Sequence, residues 1–169
     1  MSELLIIAPE YISNIEKPVI FLAGPIQGSI DWQSEAIKII QAKSQNVIIA
    51  SPRRAVFDKE FNYDEQVDWE THFLNEAAKR GVIMFWLAKE NEHIPGRNYA
   101  QTSRFELGEW KAKHQLRGAE LVVGIKPGFS GEKYIRKRLS QDCPEIEIQN
   151  SLEATCSKAV DLCKLKPTA

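Results

Sequence analysis

The sequence has few cysteines, almost no net charge and no long apolar run. Its three cysteines, Cys143, Cys156 and Cys163, are an odd and sparse set among 169 residues, which argues against a disulfide framework and for reduced thiols. The formal net charge of -1 provides no basic surface for nucleic acid or an anionic membrane. No segment resembles a membrane span or a signal peptide. We therefore expect a cytoplasmic protein that binds neither nucleic acid nor membrane.

No internal repeat, low-complexity tract or linker divides the chain, and its length suits one domain. Apolar residues make up 43% and charged residues 27%, an ordinary globular composition. Short β-branched runs alternate with segments of helical periodicity. This order predicts a single domain over 1–169, with 1–16 and 165–169 peripheral. Its fold is predicted to be α/β, a single doubly wound sheet of about five parallel strands flanked by helices, as in Rossmann-like and flavodoxin-like proteins.

The predicted elements alternate along the chain. Strands are predicted at 18–23, 47–50, 81–88, 120–125 and 145–149. Helices are predicted at 31–42, 64–79, 103–117, 133–139 and 151–163, with Asp64 as the N-cap of the second helix.

Glu106 is the first candidate for a catalytic residue. It lies near the start of the third predicted helix, just after the buried strand at 81–88. A carboxylate at this position points into the crevice where open α/β sheets bind ligands, which suits a nucleophile. A structural alternative exists, because Ser103 and Glu106 have the spacing of a capping box.

A second carboxylate, Glu70, lies on the apolar stripe of the helix at 64–79, three residues after Val67 and four before Leu74. A buried carboxylate is costly unless it is paired or hydrogen-bonded, so a salt bridge to Arg97 or Arg104 is the structural alternative.

Two carboxylates that flank one bond are what the cleavage of a glycosidic bond requires. Glu106 is the predicted nucleophile, and Glu70 is its predicted partner. Asp68 is a further candidate, although it lies off the stripe and near the helix start, where an acid suits the helix dipole.

The loop from Gly24 to Ser29 follows the first predicted strand and is a candidate wall of the same site. Its glycines let the backbone approach a ligand, but it has neither a dinucleotide fingerprint nor a Walker motif. The residues predicted to bind substrate are Gly24, Pro25, Gln27, Gly28, Ser29, Asp31, Trp32, Asn98, Tyr99, Thr102 and Ser103. The aromatic candidates to stack on a base are Trp32, Phe57, Tyr63 and Tyr99. No metal is predicted, because the three histidines lack ligand spacing.

Three motifs resemble those of the nucleoside 2-deoxyribosyltransferase-like family. They are Phe21-Leu22-Ala23-Gly24-Pro25, Trp69-Glu70 ahead of Leu74 and Ala77, and Phe105-Glu106-Leu107-Gly108. The similarity runs from about residue 18 to residue 110, and it implies that Glu106 is the nucleophile and Glu70 the acid of the preceding helix. Many members have aspartate at the second position. Many transferases also have an aspartate six residues before the nucleophile, where this chain has Ala100; Asn98 or Gln101 offers a polar contact instead.

The resemblance implies cleavage of the N-glycosidic bond of a (deoxy)nucleoside or nucleotide, with transfer of the 2-deoxyribosyl group to another base. It implies no cofactor, and it is compatible with a homo-oligomer. One alternative is an N-glycoside hydrolase acting on a nucleoside 5'-monophosphate or a nicotinamide nucleotide. Its candidate phosphate ligands are Ser29, Thr102, Ser103, Lys126 and Ser130. The other alternative is a non-catalytic nucleotide-binding module in which Glu106 accepts a ribose hydrogen bond.

Overall fold

One parallel sheet forms the centre of the protein, for which a computed structural model describes residues 4–55 and 61–166. Within these ranges the strands are β1 (Leu5–Ile7), β2 (Val19–Ala23), β3 (Ile48–Ser51), β4 (Val82–Leu87) and β5 (Leu121–Ile125). Their order across the sheet is β1-β3-β2-β4-β5, and every neighbouring pair is parallel. The predicted α/β fold with a single sheet of five parallel strands is confirmed.

Helices cover both faces of the sheet. They are α1 (Trp32–Lys43), α2 (Tyr63–Arg80), α3 (Gln101–Arg117), α4 (Glu132–Asp142) and α5 (Leu152–Lys164). The first core cluster joins α2, α3 and α4 to one face, and the second joins α1 and α5 to the other. Neighbouring strand residues point to opposite faces, so Phe21 packs in the first cluster and Leu22 in the second. Because both faces are covered, β2, β4 and β5 are buried along their whole length.

The chain changes direction in the sheet beside β2. After β2 it passes through α1 to β3 on one side, and it later returns through α2 to β4 on the other side. The segments that leave β2 and β4 therefore diverge to opposite faces, since α1 and α3 pack in different clusters. Such a switch point leaves a crevice at the carboxyl ends of the two strands, where open α/β sheets bind their ligands.

The identity of the fifth strand differs from the prediction. The prediction of a strand at 145–149 is wrong, because only Gln149 makes an isolated bridge, to Gly124, and residues 145–148 form the end of a turn, a bend and irregular backbone. The fifth strand is instead β1, which pairs with β3 at the sheet edge and comes from the segment expected to be peripheral. A strand of three residues is too short to display the alternating pattern by which strands are predicted. Its position is instead set by pairing with the edge of β3.

The predicted N-terminal caps of two helices also differ from the structure. The N-cap of α2 is Asn62 rather than Asp64, and its side chain accepts hydrogen bonds from the backbone N–H groups of Asp64 and Glu65. Helix α3 begins at Gln101, after Ala100, which has a left-handed conformation and no side-chain cap. Ser103 is therefore the third helical residue, and the capping-box interpretation of Glu106 is wrong.

Candidate active site

A cavity of about 400 Å³ lies at the carboxyl ends of β2 and β4. Its walls are the loop after β2, the first turns of α2, the segment between β4 and α3, and the start of α3. The volume is within the range of sites for small organic ligands. Ten of the residues predicted for the site line this cavity: Gly24, Pro25, Gln27, Gly28, Glu70, Asn98, Tyr99, Thr102, Ser103 and Glu106.

Glu106 reaches the cavity from the second turn of α3. Burial raises the pKa of its carboxyl group to about 8, and the negative charges of Glu70 and then of Glu109 add to the shift. The effect of Glu70 means that the two carboxylates interact across the cavity. Two helices on the same face of the sheet thus bring together the pair of acids that the sequence predicts.

Glu70 accepts a hydrogen bond from the side chain of Gln66, with a distance of 2.9 Å between Gln66 Nε2 and Glu70 Oε1. Burial raises the pKa of Glu70, and this hydrogen bond opposes the shift. Within the described residues Glu70 forms no salt bridge. Arg104 instead donates to the carbonyl of Ser130 and lies over the Phe129 ring, 4.4 Å from its centroid. The predicted structural alternative, an ion pair that neutralises Glu70, is therefore not formed with Arg104.

Gln66 is a polar residue of the site that the sequence did not identify. It lines the cavity with 8% of its surface exposed, one helical turn before Glu70. Its amide also contacts Arg54 and the Pro52 carbonyl. The spacing of four residues between Gln66 and Glu70 was the available signal, because side chains at this spacing are neighbours on a helix.

The loop after β2 forms a fixed wall of the cavity. At Gly24, which has a φ of 153°, a Cβ atom would lie 2.3 Å from the backbone oxygen of Trp86. This glycine therefore permits close packing of the loop on β4, rather than the approach of a ligand. The carbonyl of Gly28 accepts hydrogen bonds from the N–H groups of Asn91 and Glu92, and so joins this loop to the segment after β4.

The aromatic candidates have different environments. Tyr99 lines the cavity and donates its hydroxyl to the Ala88 carbonyl over 2.6 Å, while burial raises its pKa to about 12. Tyr63 lies at the rim and is 70% exposed. Trp32 is fully buried and donates to the Pro25 carbonyl, so it supports the loop from below and does not face the cavity. Phe57 lies outside the described residues.

Three other predicted residues do not line the cavity. Ser29 donates its hydroxyl to backbone carbonyls of its own loop, including that of Pro25. Asp31 caps α1 through the N–H of Ser34 and forms a salt bridge with Arg53. Asp68 is exposed, and its charge acts on Tyr11 outside the cavity. Of the two candidate partners for Glu106, only Glu70 therefore faces the same space.

The charge of the cavity is negative. Among the described residues that line it, the carboxylates are Glu70, Glu90, Glu92 and Glu106, and the one cationic side chain is Arg97. Lys126 and Ser130, which were candidate phosphate ligands, are not lining residues.

A cluster of His114, Cys143 and Glu145 lies away from the cavity, and its potential ligand atoms are within 4.8 Å of one another. His114 Nε2 and Glu145 Oε1 are only 2.6 Å apart, whereas two tetrahedral zinc ligands lie roughly 3.4 Å apart when each is about 2.1 Å from the ion. The geometry is therefore that of a hydrogen-bonded pair. It joins the end of α3 to the segment before α5.

Within the described ranges, no helix combines the length and the apolar character needed to cross a membrane.

The fold and the cavity define an α/β protein with a pair of half-buried carboxylates at the switch point of a parallel sheet. Residues 17–129 match the model of the family described as nucleoside 2-deoxyribosyltransferase like, and the chain belongs to this family. The matched range contains both carboxylates and the loop after β2, so the resemblance carried by the three motifs is confirmed. None of the curated proteins matches the chain.

Proposed function

We propose that this protein cleaves the N-glycosidic bond of a 2'-deoxynucleoside and transfers the 2-deoxyribosyl group to another base. The observation that carries the proposal is the pair Glu106 and Glu70 in one cavity of a chain that belongs to this family. Glu106 is the nucleophile, and its carboxylate oxygen bonds to C1' of the sugar as the bond from C1' to the base nitrogen breaks. A second base, or water, then displaces Glu106 from C1'.

A carboxylate pair that shares one proton suits both halves of this reaction. As the Glu106 oxygen bonds to C1', the proton of the pair goes to the nitrogen of the departing base. The acceptor base returns a proton when it takes the sugar, so the pair ends as it began. Because the pKa of Glu106 is about 8 while Glu70 interacts with it, the pair retains a proton at neutral pH.

A 2'-deoxy sugar favours this route. The transition state has oxocarbenium character, and an electron-withdrawing 2'-hydroxyl group opposes the positive charge that develops at C1'. The cavity contains no metal ligand set among its described lining residues, and the proposed steps require none.

The charge of the cavity favours a nucleoside over a nucleoside 5'-monophosphate. The four acidic side chains among the described lining residues carry three negative charges when the pair holds one proton, and with one guanidinium group they repel a phosphate dianion more than they attract it. This charge argues against the alternative of a hydrolase that requires a 5'-phosphate or acts on a nicotinamide nucleotide.

Ala100 leaves the choice between transfer and hydrolysis to experiment. It stands where many transferases of the family are expected to have an aspartate, and it lines the cavity without a polar side chain. Asn98 and Gln101 also line the cavity and are the candidates to bind the base in its place.

Incubation of the purified protein with deoxynucleosides and their 5'-monophosphates, with and without a second base, tests the proposal by chromatography. We expect exchange of the base on unphosphorylated deoxynucleosides. Release of the base without exchange would identify a hydrolase, and preference for monophosphates would contradict the charge argument. Binding without any turnover would identify a nucleotide-binding module and overturn the proposed reaction.

A further inference from the structure

The buried side chain of Gln66 lies between the carboxylate pair and the loop after β3. A buried amide has to place its N–H donors and its oxygen against complementary groups. The neighbours of Gln66 therefore decide which end of the amide faces Glu70.

Two neighbours determine the orientation of this amide. Gln66 Oε1 accepts a hydrogen bond of 2.7 Å from Arg54 Nε, and a guanidinium group has no acceptor to offer. Gln66 Nε2 donates over 2.9 Å to the carbonyl of Pro52, which has no donor. If the amide were flipped, its NH2 group would face the N–H donor of Arg54, and its oxygen would face the carbonyl oxygen of Pro52. The remaining N–H group is consequently directed at Glu70 Oε1, 2.9 Å away.

The two carboxylates therefore have unequal surroundings. Glu70 receives an N–H donor whose direction is fixed, and such a donor stabilises the charged form of a carboxylate relative to the neutral form. Within the described part of the chain, Glu106 receives no comparable donor from a side chain, and the charges of Glu70 and Glu109 both oppose its ionisation.

We infer that Gln66 is a positioning residue whose amide, held by Arg54 and Pro52, keeps Glu70 ionised in the free protein and thereby puts the shared proton of the pair on Glu106. This inference deepens the proposed function and rests on it for its catalytic meaning. The resting nucleophile is neutral, and hence a weak nucleophile towards small electrophiles, until a nucleoside enters. The proton then leaves Glu106 for the departing base nitrogen as the Glu106 oxygen bonds to C1'.

Among the other titratable groups described around the pair, Glu109 adds to this asymmetry through its charge but makes no hydrogen bond to either acid. Glu109 faces Glu106 from its own helix, and Glu65 pairs with the outer nitrogen of Arg54 over 3.2 Å. The groups that line the cavity from α2 and from the segment after β4 are Tyr63, Glu90, Glu92, Arg97 and Tyr99. Among the described residues, none of these groups forms a hydrogen bond or an ion pair with Glu70 or Glu106. The Gln66 amide is the directional contact that separates the two acids.

Carboxyl-carbon NMR titration of protein labelled at the side-chain carboxyl groups of its glutamates tests the inference. Glu70→Gln and Glu106→Gln assign the two signals. In Gln66→Met, which keeps the length of the side chain and removes the amide, we expect the pKa of Glu70 to rise by about one pH unit and that of Glu106 to fall. The matched control is Asn75→Met, which removes an exposed amide from the same helix and leaves both pKa values unchanged.

An unchanged pKa of Glu70 in Gln66→Met, or a rise of both pKa values together, overturns the inference. Circular dichroism reports whether this variant folds. If Gln66→Met does not fold, the same titration of Arg54→Met tests the inference. This variant removes the hydrogen bond that orients the Gln66 amide but keeps the amide itself. The expected shifts then have the same directions and a smaller size, and their absence overturns the inference.

The titration requires no turnover, so it separates the two proposals. A wild-type protein that titrates as expected and cleaves no nucleoside contradicts the proposed function alone. An active protein whose Gln66→Met variant shows unshifted pKa values contradicts the role of Gln66 alone.

Discussion

Glu106 is an acidic residue in surroundings that oppose its charge. Burial and the neighbouring carboxylates raise its pKa to about 8. Perturbed carboxyl groups of this kind concentrate at functional sites, where the group is retained at a cost in stability. Three consequences are expected at the scale of this residue, for activity, for stability and for a covalent intermediate.

Replacement of Glu106 by Gln should abolish glycosidic cleavage, with a loss of at least about 10³-fold in kcat/KM, because an amide oxygen is a poor nucleophile. Steady-state assays with a deoxynucleoside measure the change. Glu109→Gln is the matched control on the same helix. Glu109 pairs with Lys113 on the exposed side of α3, and its loss should alter activity by less than about threefold. Retention of activity in Glu106→Gln would refute the proposed nucleophile.

The same substitution should stabilise the protein, and increasingly so as the pH rises. The carboxyl group of Glu106 ionises near pH 4.3 in the unfolded chain, but only at about 8 in the folded protein. The folded state therefore binds the extra proton, and this group lowers wild-type stability progressively as pH rises between these values. Chemical denaturation at pH 5 and pH 9 should show a gain for Glu106→Gln that is on the order of 3 kcal/mol larger at pH 9. An equal gain in stability at both pH values would mean that the folded protein does not disfavour the ionised form of Glu106.

A covalent intermediate on Glu106 should be trapped with a 2'-fluoro deoxynucleoside. Fluorine destabilises the oxocarbenium-like transition state of discharge, so the glycosyl ester accumulates. Intact mass spectrometry should show one added sugar, and fragmentation of the tryptic peptide 105–111 should separate Glu106 from Glu109. A label on Glu70 would mean that Glu70, not Glu106, is the nucleophile. A sugar product with inverted configuration at C1', formed without any label, would indicate direct attack by water.

At the scale of elements, the loop after β2 is positioned by contacts with β4 rather than by its own propensities. Gly24 packs against the Trp86 carbonyl, and Gly28 accepts two hydrogen bonds from the segment that leads to α3. The two walls that meet at the cavity are thereby joined to each other. A change in either loop is expected to affect both walls.

Gly24→Ala should destabilise the protein by about 3 kcal/mol or more, because the new Cβ atom would lie 2.3 Å from the Trp86 oxygen in a backbone conformation that disfavours side chains. Gly108→Ala is the control within α3. No atom lies within 4 Å of a Cβ atom there, and removal of a helical glycine should stabilise by about 0.5–1 kcal/mol. Thermal unfolding measures both changes. Equal effects at the two positions would contradict the packing of this loop.

At the scale of the whole molecule, the two helical layers bury all three cysteines. Cys143 packs in the first core cluster, and Cys156 and Cys163, on the inner side of α5, pack in the second. Burial raises the pKa values of Cys156 and Cys163 to about 12, so almost no thiolate is present at neutral pH. These thiols report on the integrity of both layers.

Thiol reagents should therefore modify the native protein only at the rate of its unfolding. We expect all three thiols to react rapidly in denaturant and slowly in buffer, and faster in Gly24→Ala than in the wild type. Mass spectrometry of timed samples counts the modified thiols. Rapid modification of one cysteine in buffer would mean that its layer opens locally.

Local pattern in the sequence determined the alternation of strands and helices, the buried runs of β2, β4 and β5, and the place of Glu106 after a central strand. These features depend on hydrophobic periodicity and chain order, which short segments express by themselves. The choice of Glu70 over Asp68, the burial of Trp32, the Gln66 amide network and the edge strand β1 were decided only by the tertiary structure. Each depends on which distant group lies opposite a side chain or a strand edge. Asp68 and Glu70 are only two residues apart, yet packing of α2 against the sheet turns one towards solvent and the other towards Glu106.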